Sequence, residues 1–68
     1  MKLSARNQLA GTVVSINKGE AIANVELNVA GQRLVASITV EAVQQLGLES
    51  GTEIVAVIKA SDVMIGIS

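Results

Sequence analysis

Apolar and polar residues alternate with period two over most of the chain, the spacing of strands that bury one face. In "AIANVELNVA" (Ala21–Ala30), Ala21, Ala23, Val25, Leu27 and Val29 share one face. Ile22, Asn24, Glu26 and Asn28 share the other, and three of these four are polar. "RLVASITV" (Arg33–Val40) puts Leu34, Ala36, Ile38 and Val40 together, and the Gly31-Gln32 link before it predicts a hairpin. "GTVVSI" (Gly11–Ile16) reads as an earlier strand, joined onward through "NKGE", where Asn17 and Gly19 tolerate positive φ. "TEIVAVIK" (Thr52–Lys59) and "VMIGI" (Val63–Ile67) are two further β-branched-rich runs separated by "ASD", and Leu3–Leu9 adds an extended stretch.

One segment breaks the alternation. Within "TVEAVQQLGLESG" (Thr39–Gly51), good helix formers run from Glu41 to Leu46. Thr39 suits the N-cap, and Glu41 brings negative charge to the first turn. Gly47 suits a left-handed C-terminal position, with Leu48 supplying the apolar contact after it. A helix of about two turns needs packing to persist, and Val43 and Leu46 are expected to face the sheet. Five strands with one short helix between the third and fourth predict a mainly β chain: an OB-like five-stranded barrel, with the helix plugging one end. Closure removes the exposed edges that a short apolar sheet must avoid. Residues 1–68 are expected to form a single domain.

Composition adds a demand for partners. Half of the 68 residues are hydrophobic and only 16% are charged. A domain this small buries only about 60% of the surface its unfolded chain exposes. The apolar surplus predicts that copies of the chain cover one another. Other absences exclude chemistry. There is no Cys and no His, so thiolate sites and the commonest general base are missing. The six acids (Glu20, Glu26, Glu41, Glu49, Glu53 and Asp62) are scattered singly, not clustered as a metal cation would require. No enzyme is expected from such a set. A net charge of −1 and the lack of any aromatic residue argue against nucleic acid. No leader-like apolar run opens the chain and none approaches about 20 residues, so neither export nor a membrane span is expected. The reading is a cytoplasmic protein.

Donor groups remain. Ser4, Arg6 and Asn7 stand in "SARNQLAG", and Lys59 and Ser61 in "KASDVMI". Hydroxyls, an amide, a guanidinium and an ammonium suit a tetrahedral oxyanion, whose oxygens only accept. Each also has a plainer use: Ser4 and Asn7 in a turn, Arg6 paired with Glu53 or Asp62, Lys59 in solvent, Ser61 capping its turn. The two groups could meet within one barrel or between neighbouring subunits, where symmetry would multiply sparse positive charge.

The paired segments "SARNQLAGTVVSI" and "IKASDVMIGI", with "EAVQQLGLESGTEI" between them, resemble the molbindins, small molybdate-binding proteins built from a single Mop-type TOBE domain. The likeness spans essentially the whole chain; Lys2 and the stretch Asn24–Arg33 differ without touching a motif position. It implies a homohexamer, arranged as a trimer of dimers with strand exchange inside each dimer. It implies molybdate as ligand, with tungstate as a mimic and no cofactor. The binding residues it implies are Ser4, Ala5, Arg6 and Asn7 of one subunit and Lys59, Ala60 and Ser61 of another, with Ala5 and Ala60 offering only backbone N–H groups. Lys18 and Gly19 are candidates for a second class of site. The implied role is storage of intracellular molybdate; the alternative is a sensing module acting through a partner regulator or transporter.

Overall fold

A computed structural model describes all of residues 1–68. Four strands, β1 (Asn7–Lys18), β2 (Ile22–Val29), β3 (Gln32–Thr39) and β4 (Glu53–Ile58), form one antiparallel sheet in the order β3-β2-β1-β4. The helix α1 (Val40–Leu46) follows β3 directly, and a short 3-10 turn (Ala60–Asp62) follows β4.

β1 is longer than the alternation in "GTVVSI" predicts, and it serves two partners. Its first half pairs with β4, from Asn7↔Ile58 to Thr12↔Glu53, and its second half with β2. A bulge at Val14 separates the halves, because Val13 faces Leu27 while Ser15 faces Glu26. The extra residue shifts the side-chain phase by one, so Val13 and Ile16 both point inward although strict alternation would separate them. The "ESGT" turn clamps the bulge. The Gly51 N–H donates to the Val13 carbonyl at 2.8 Å and the Ser50 hydroxyl to the Val14 carbonyl at 2.9 Å. Gly11, just before it, lets β1 approach β2 closely: a Cβ there would lie 2.5 Å from the Asn28 carbonyl oxygen.

The β2–β3 hairpin turns one residue earlier than the Gly31-Gln32 link predicts. Ala30 and Gly31 occupy the turn with φ of 51° and 81°, and Val29↔Gln32 is the first ladder pair. Two successive positive φ values match the twist of the flanking strands, and the Asn28 side chain steadies the turn by accepting from the Gly31 N–H at 2.9 Å.

The helix termini form as the sequence predicts. The Thr39 hydroxyl accepts from the Ala42 N–H, and Gly47 takes the left-handed conformation at φ 63°. The Gly47 and Leu48 N–H groups close onto the Gln44 and Val43 carbonyls. Val43 is buried, but Leu46 is 67% exposed, so only the first of the two expected contacts with the sheet exists. Leu48, beyond the cap, packs on the core instead.

That core is small. Only Val13, Ala23, Val25, Leu27 and Val43 are buried, with Ile16, Leu34, Leu48 and Ile54 packed against them. The sheet curls but does not close. β3 and β4 are its two edges, and a cavity of about 690 Å³ opens between them, lined almost wholly by apolar side chains such as Leu34, Ile38, Ile54 and Ala56. The fifth strand expected at Val63–Ile67 is absent from this sheet: the segment joins no ladder, and Met64, Ile65 and Ile67 are each more than nine-tenths exposed. A single chain is therefore a four-stranded open sheet rather than a five-stranded barrel. No helix is long and apolar enough to cross a membrane.

Candidate anion site

The ladder between β1 and β4 places the two donor-bearing segments at the same end of the sheet. Asn7 and Ile58 are its terminal pair, although 51 residues separate them in the chain. The half-buried Asn7 side chain fastens this end by donating from Nδ2 to the Ile58 carbonyl at 3.1 Å. Ser4-Ala5-Arg6 precede that pair in the chain and Lys59-Ala60-Ser61 follow it, all outside the ladder. The register thus sets Asn7 opposite the residue before Lys59, so both expected segments adjoin the same end of the sheet.

Apart from Asn7, their polar side chains have no partner within the chain. The one salt bridge of the chain joins Arg33 to Glu26 across the outer face of β2 and β3. Arg6 pairs with neither Glu53 nor Asp62, and Lys59 has no carboxylate partner. Ser4 and Ser61 donate to nothing within the chain, and the turn after β4 starts at Lys59 without any side-chain cap. The plainer uses of Arg6 and Ser61 are therefore not realised. In the turn itself, the Asp62 N–H donates to the Lys59 carbonyl at 2.9 Å and the Val63 N–H to the Ala60 carbonyl at 3.3 Å. The Ala60 and Ser61 N–H groups take no part in this pattern. Together with the guanidinium of Arg6, the ammonium of Lys59 and the hydroxyls of Ser4 and Ser61, they make up a donor set of the kind that can hold a small oxyanion by charge-assisted hydrogen bonds.

Two residues outside the expected set shape this end. Gln8 donates from Nε2 to the Ala5 carbonyl at 3.3 Å, which orients the peptide carrying the Arg6 N–H. Asp62 closes the turn and lines the apolar cavity beside Val63. Neither could be found by composition, since an amide and a carboxylate are common on any surface; the β1–β4 register is what gives them a role.

Lys18 and Gly19 lie elsewhere. Lys18 ends the 12-residue β1 and Gly19 follows it, at the turn where the Gly19 N–H donates to the Ile22 carbonyl at 2.8 Å. Eleven steps of about 3.3 Å put Lys18 roughly 36 Å of strand contour from Asn7. They cannot join Arg6 and Lys59 in one chain. No group of three or more His, Cys, Asp or Glu comes together to hold a metal cation.

A family model described as the TOBE domain matches residues 3–65. The chain is 50% identical over 66 residues to molybdenum-pterin-binding protein 3 of Clostridium pasteurianum, covering 96% of this chain and 97% of that one. Among solved structures, a molybdate binding protein from Sporomusa ovata superposes with a TM-score of 0.94 at 37% identity, covering 98% of this chain and 100% of that one. MopII from Clostridium pasteurianum superposes with a TM-score of 0.90 at 42% identity, covering 97% and 100%.

Proposed function

The chain belongs to the TOBE-domain family, and on that premise we propose that it binds molybdate and serves to store it in the cytoplasm. One observation carries this reading: the β1–β4 ladder ends at Asn7↔Ile58, so the segments bearing Arg6 and Lys59, neither of which has a carboxylate partner, adjoin the same end of the sheet. Molybdate is a tetrahedral dianion, and tungstate shares its shape and charge. The Arg6 guanidinium and Lys59 ammonium would neutralise it. The Ser4 and Ser61 hydroxyls and the backbone N–H groups of Ala5, Ala60 and Ser61 would orient it. Nothing in the proposal calls for catalysis or a cofactor.

The assembly is part of the proposal. A five-residue strand spans about 17 Å, comparable to the six-residue β4. The Val63–Ile67 tail of a second copy, laid between the edges of β3 and β4, would supply the fifth strand, fill the apolar cavity and complete an OB-like barrel. Such exchange makes dimers, and three dimers make the proposed hexamer, with binding groups of neighbouring copies completing the sites. Lys18 and Gly19, remote from the first group, belong in this proposal to a second class of site between copies.

Native mass spectrometry with and without sodium molybdate tests both halves together. The expected result is six subunits that gain several molybdate masses at low micromolar anion. A particle that takes up no molybdate, while remaining folded, overturns the function; a monomer overturns the assembly.

A further inference from the structure

The turn that would hold the anion is also the joint from which the tail departs. Lys59, Ala60 and Ser61 lead through Asp62 directly into Val63. On the sheet side this joint is fixed, because Asn7 fastens the last residue of β4. On the other side it is loose. The last hydrogen bond before the tail is the 3.3 Å contact from the Val63 N–H to the Ala60 carbonyl, and every residue from Val63 onward is exposed. Asp62 and Val63 nevertheless line the mouth of the cavity between β3 and β4. The direction of this one turn thus decides where Val63, Met64, Ile65 and Ile67 go.

Resting on the reading that Lys59–Ser61 donate to the dianion, we propose that anion binding sets the direction of the Val63–Ile67 tail and so locks the exchanged tails between copies. A bound oxyanion drawing on the Ala60 and Ser61 N–H groups, the Lys59 ammonium and the Ser4–Asn7 segment cross-braces the joint. Withdrawing a tail from its neighbour requires the turn to reorient, which breaks that brace, so exchange proceeds from the empty site. Mass action then divides the exchange rate by 1 + [L]/Kd, a slowing of about 100-fold at a ligand concentration of 100 Kd. By reciprocity, seating the tail preorganises the turn for the anion.

The test mixes unlabelled protein with nitrogen-15-labelled protein and follows mixed oligomers by native mass spectrometry, at a temperature where the anion-free protein exchanges within hours. Calorimetry on the same preparations measures binding of sodium molybdate. With molybdate at 100 Kd the expected slowing is about 100-fold, while sodium chloride of equal ionic strength leaves the rate within about twofold. Asp62→Gly keeps the backbone donors of the turn but loosens the joint between it and the tail. With its own Kd fixed by calorimetry, it should show less than about tenfold slowing at 100 times that Kd. Molybdate that binds without slowing exchange overturns this inference and leaves the function standing. So does Asp62→Gly slowed as strongly as the parent, or a chain that stays monomeric. Calorimetry without any binding overturns the functional reading itself.

Discussion

Gly11 sits in the opening segment that carries the family likeness, yet its structural role is packing. A methyl group on its Cα would meet the Asn28 carbonyl oxygen at 2.5 Å and Val29 Cγ2 at 2.9 Å, whereas ordinary contact begins near 3.4 Å. The Val29 side chain can rotate aside; the carbonyl belongs to the β1–β2 ladder and cannot. Relief requires the two strands to part locally by about 0.9 Å, the shortfall between those distances. That much overpacking costs about 1–3 kcal/mol, and a ladder hydrogen bond stretched by the same amount forfeits about 1 kcal/mol more. The stiffer unfolded chain of Gly11→Ala returns about 0.4–1 kcal/mol, leaving a net loss of about 1–3.5 kcal/mol. For a domain of this size that lowers Tm by about 5–25 °C. The assay is thermal unfolding followed by far-ultraviolet circular dichroism at one fixed protein concentration, since an associating protein melts in a concentration-dependent way. Below its Tm the variant should bind molybdate within about threefold of the parent, because Gly11 lies four residues past the last expected donor on that side. A Tm within about 3 °C of the parent refutes the packing argument. An unchanged Tm together with lost binding would make Gly11 part of the anion site.

Arg6→Ala should weaken molybdate binding about tenfold or more at low salt and flatten its salt dependence, with Tm of the anion-free protein unchanged, since Arg6 is exposed and pairs with nothing in the chain; calorimetry across a salt series checks this, and parental affinity refutes it. Ala30→Asn should raise Tm by about 3–6 °C in circular dichroism melts, because Asn accepts the left-handed φ that Ala30 adopts at 51° and makes an Asn-Gly turn with Gly31; an unchanged or lower Tm refutes it.

The elements whose signals are local were legible in the sequence. The alternation from Ala23 to Val29 named the buried face of β2 correctly, and Thr39 and Gly47 marked the ends of α1. What failed needed information from distant residues. The bulge at Val14 depends on the turn near Ser50, 36 residues away, so no window around "GTVVSI" could show that Val13 and Ile16 both face inward. Leu46 misled because helical spacing shows which residues neighbour one another but not where the sheet ends. Val63–Ile67 has the composition of a strand, yet strand formation also needs a free edge within reach, and the chain does not seat the segment on its own edges. Of the candidate site, the sequence shows an inventory of donors but not their arrangement, because Asn7 and Ile58 become neighbours only through the register of β1 with β4.

That register also orders events during synthesis. β1, β2 and β3 follow one another in the chain and can zip up as a meander while β4 is still inside the ribosome. The Asn7–Ile58 junction closes a loop spanning three-quarters of the sequence, and contacts between such distant partners form late and slowly. If the proposed site is the one that holds the anion, a nascent chain would have no grip on it until translation has passed β4. Fragments released by stalled ribosomes or clipped by proteases before that strand would then not withdraw the ion from the cell's supply.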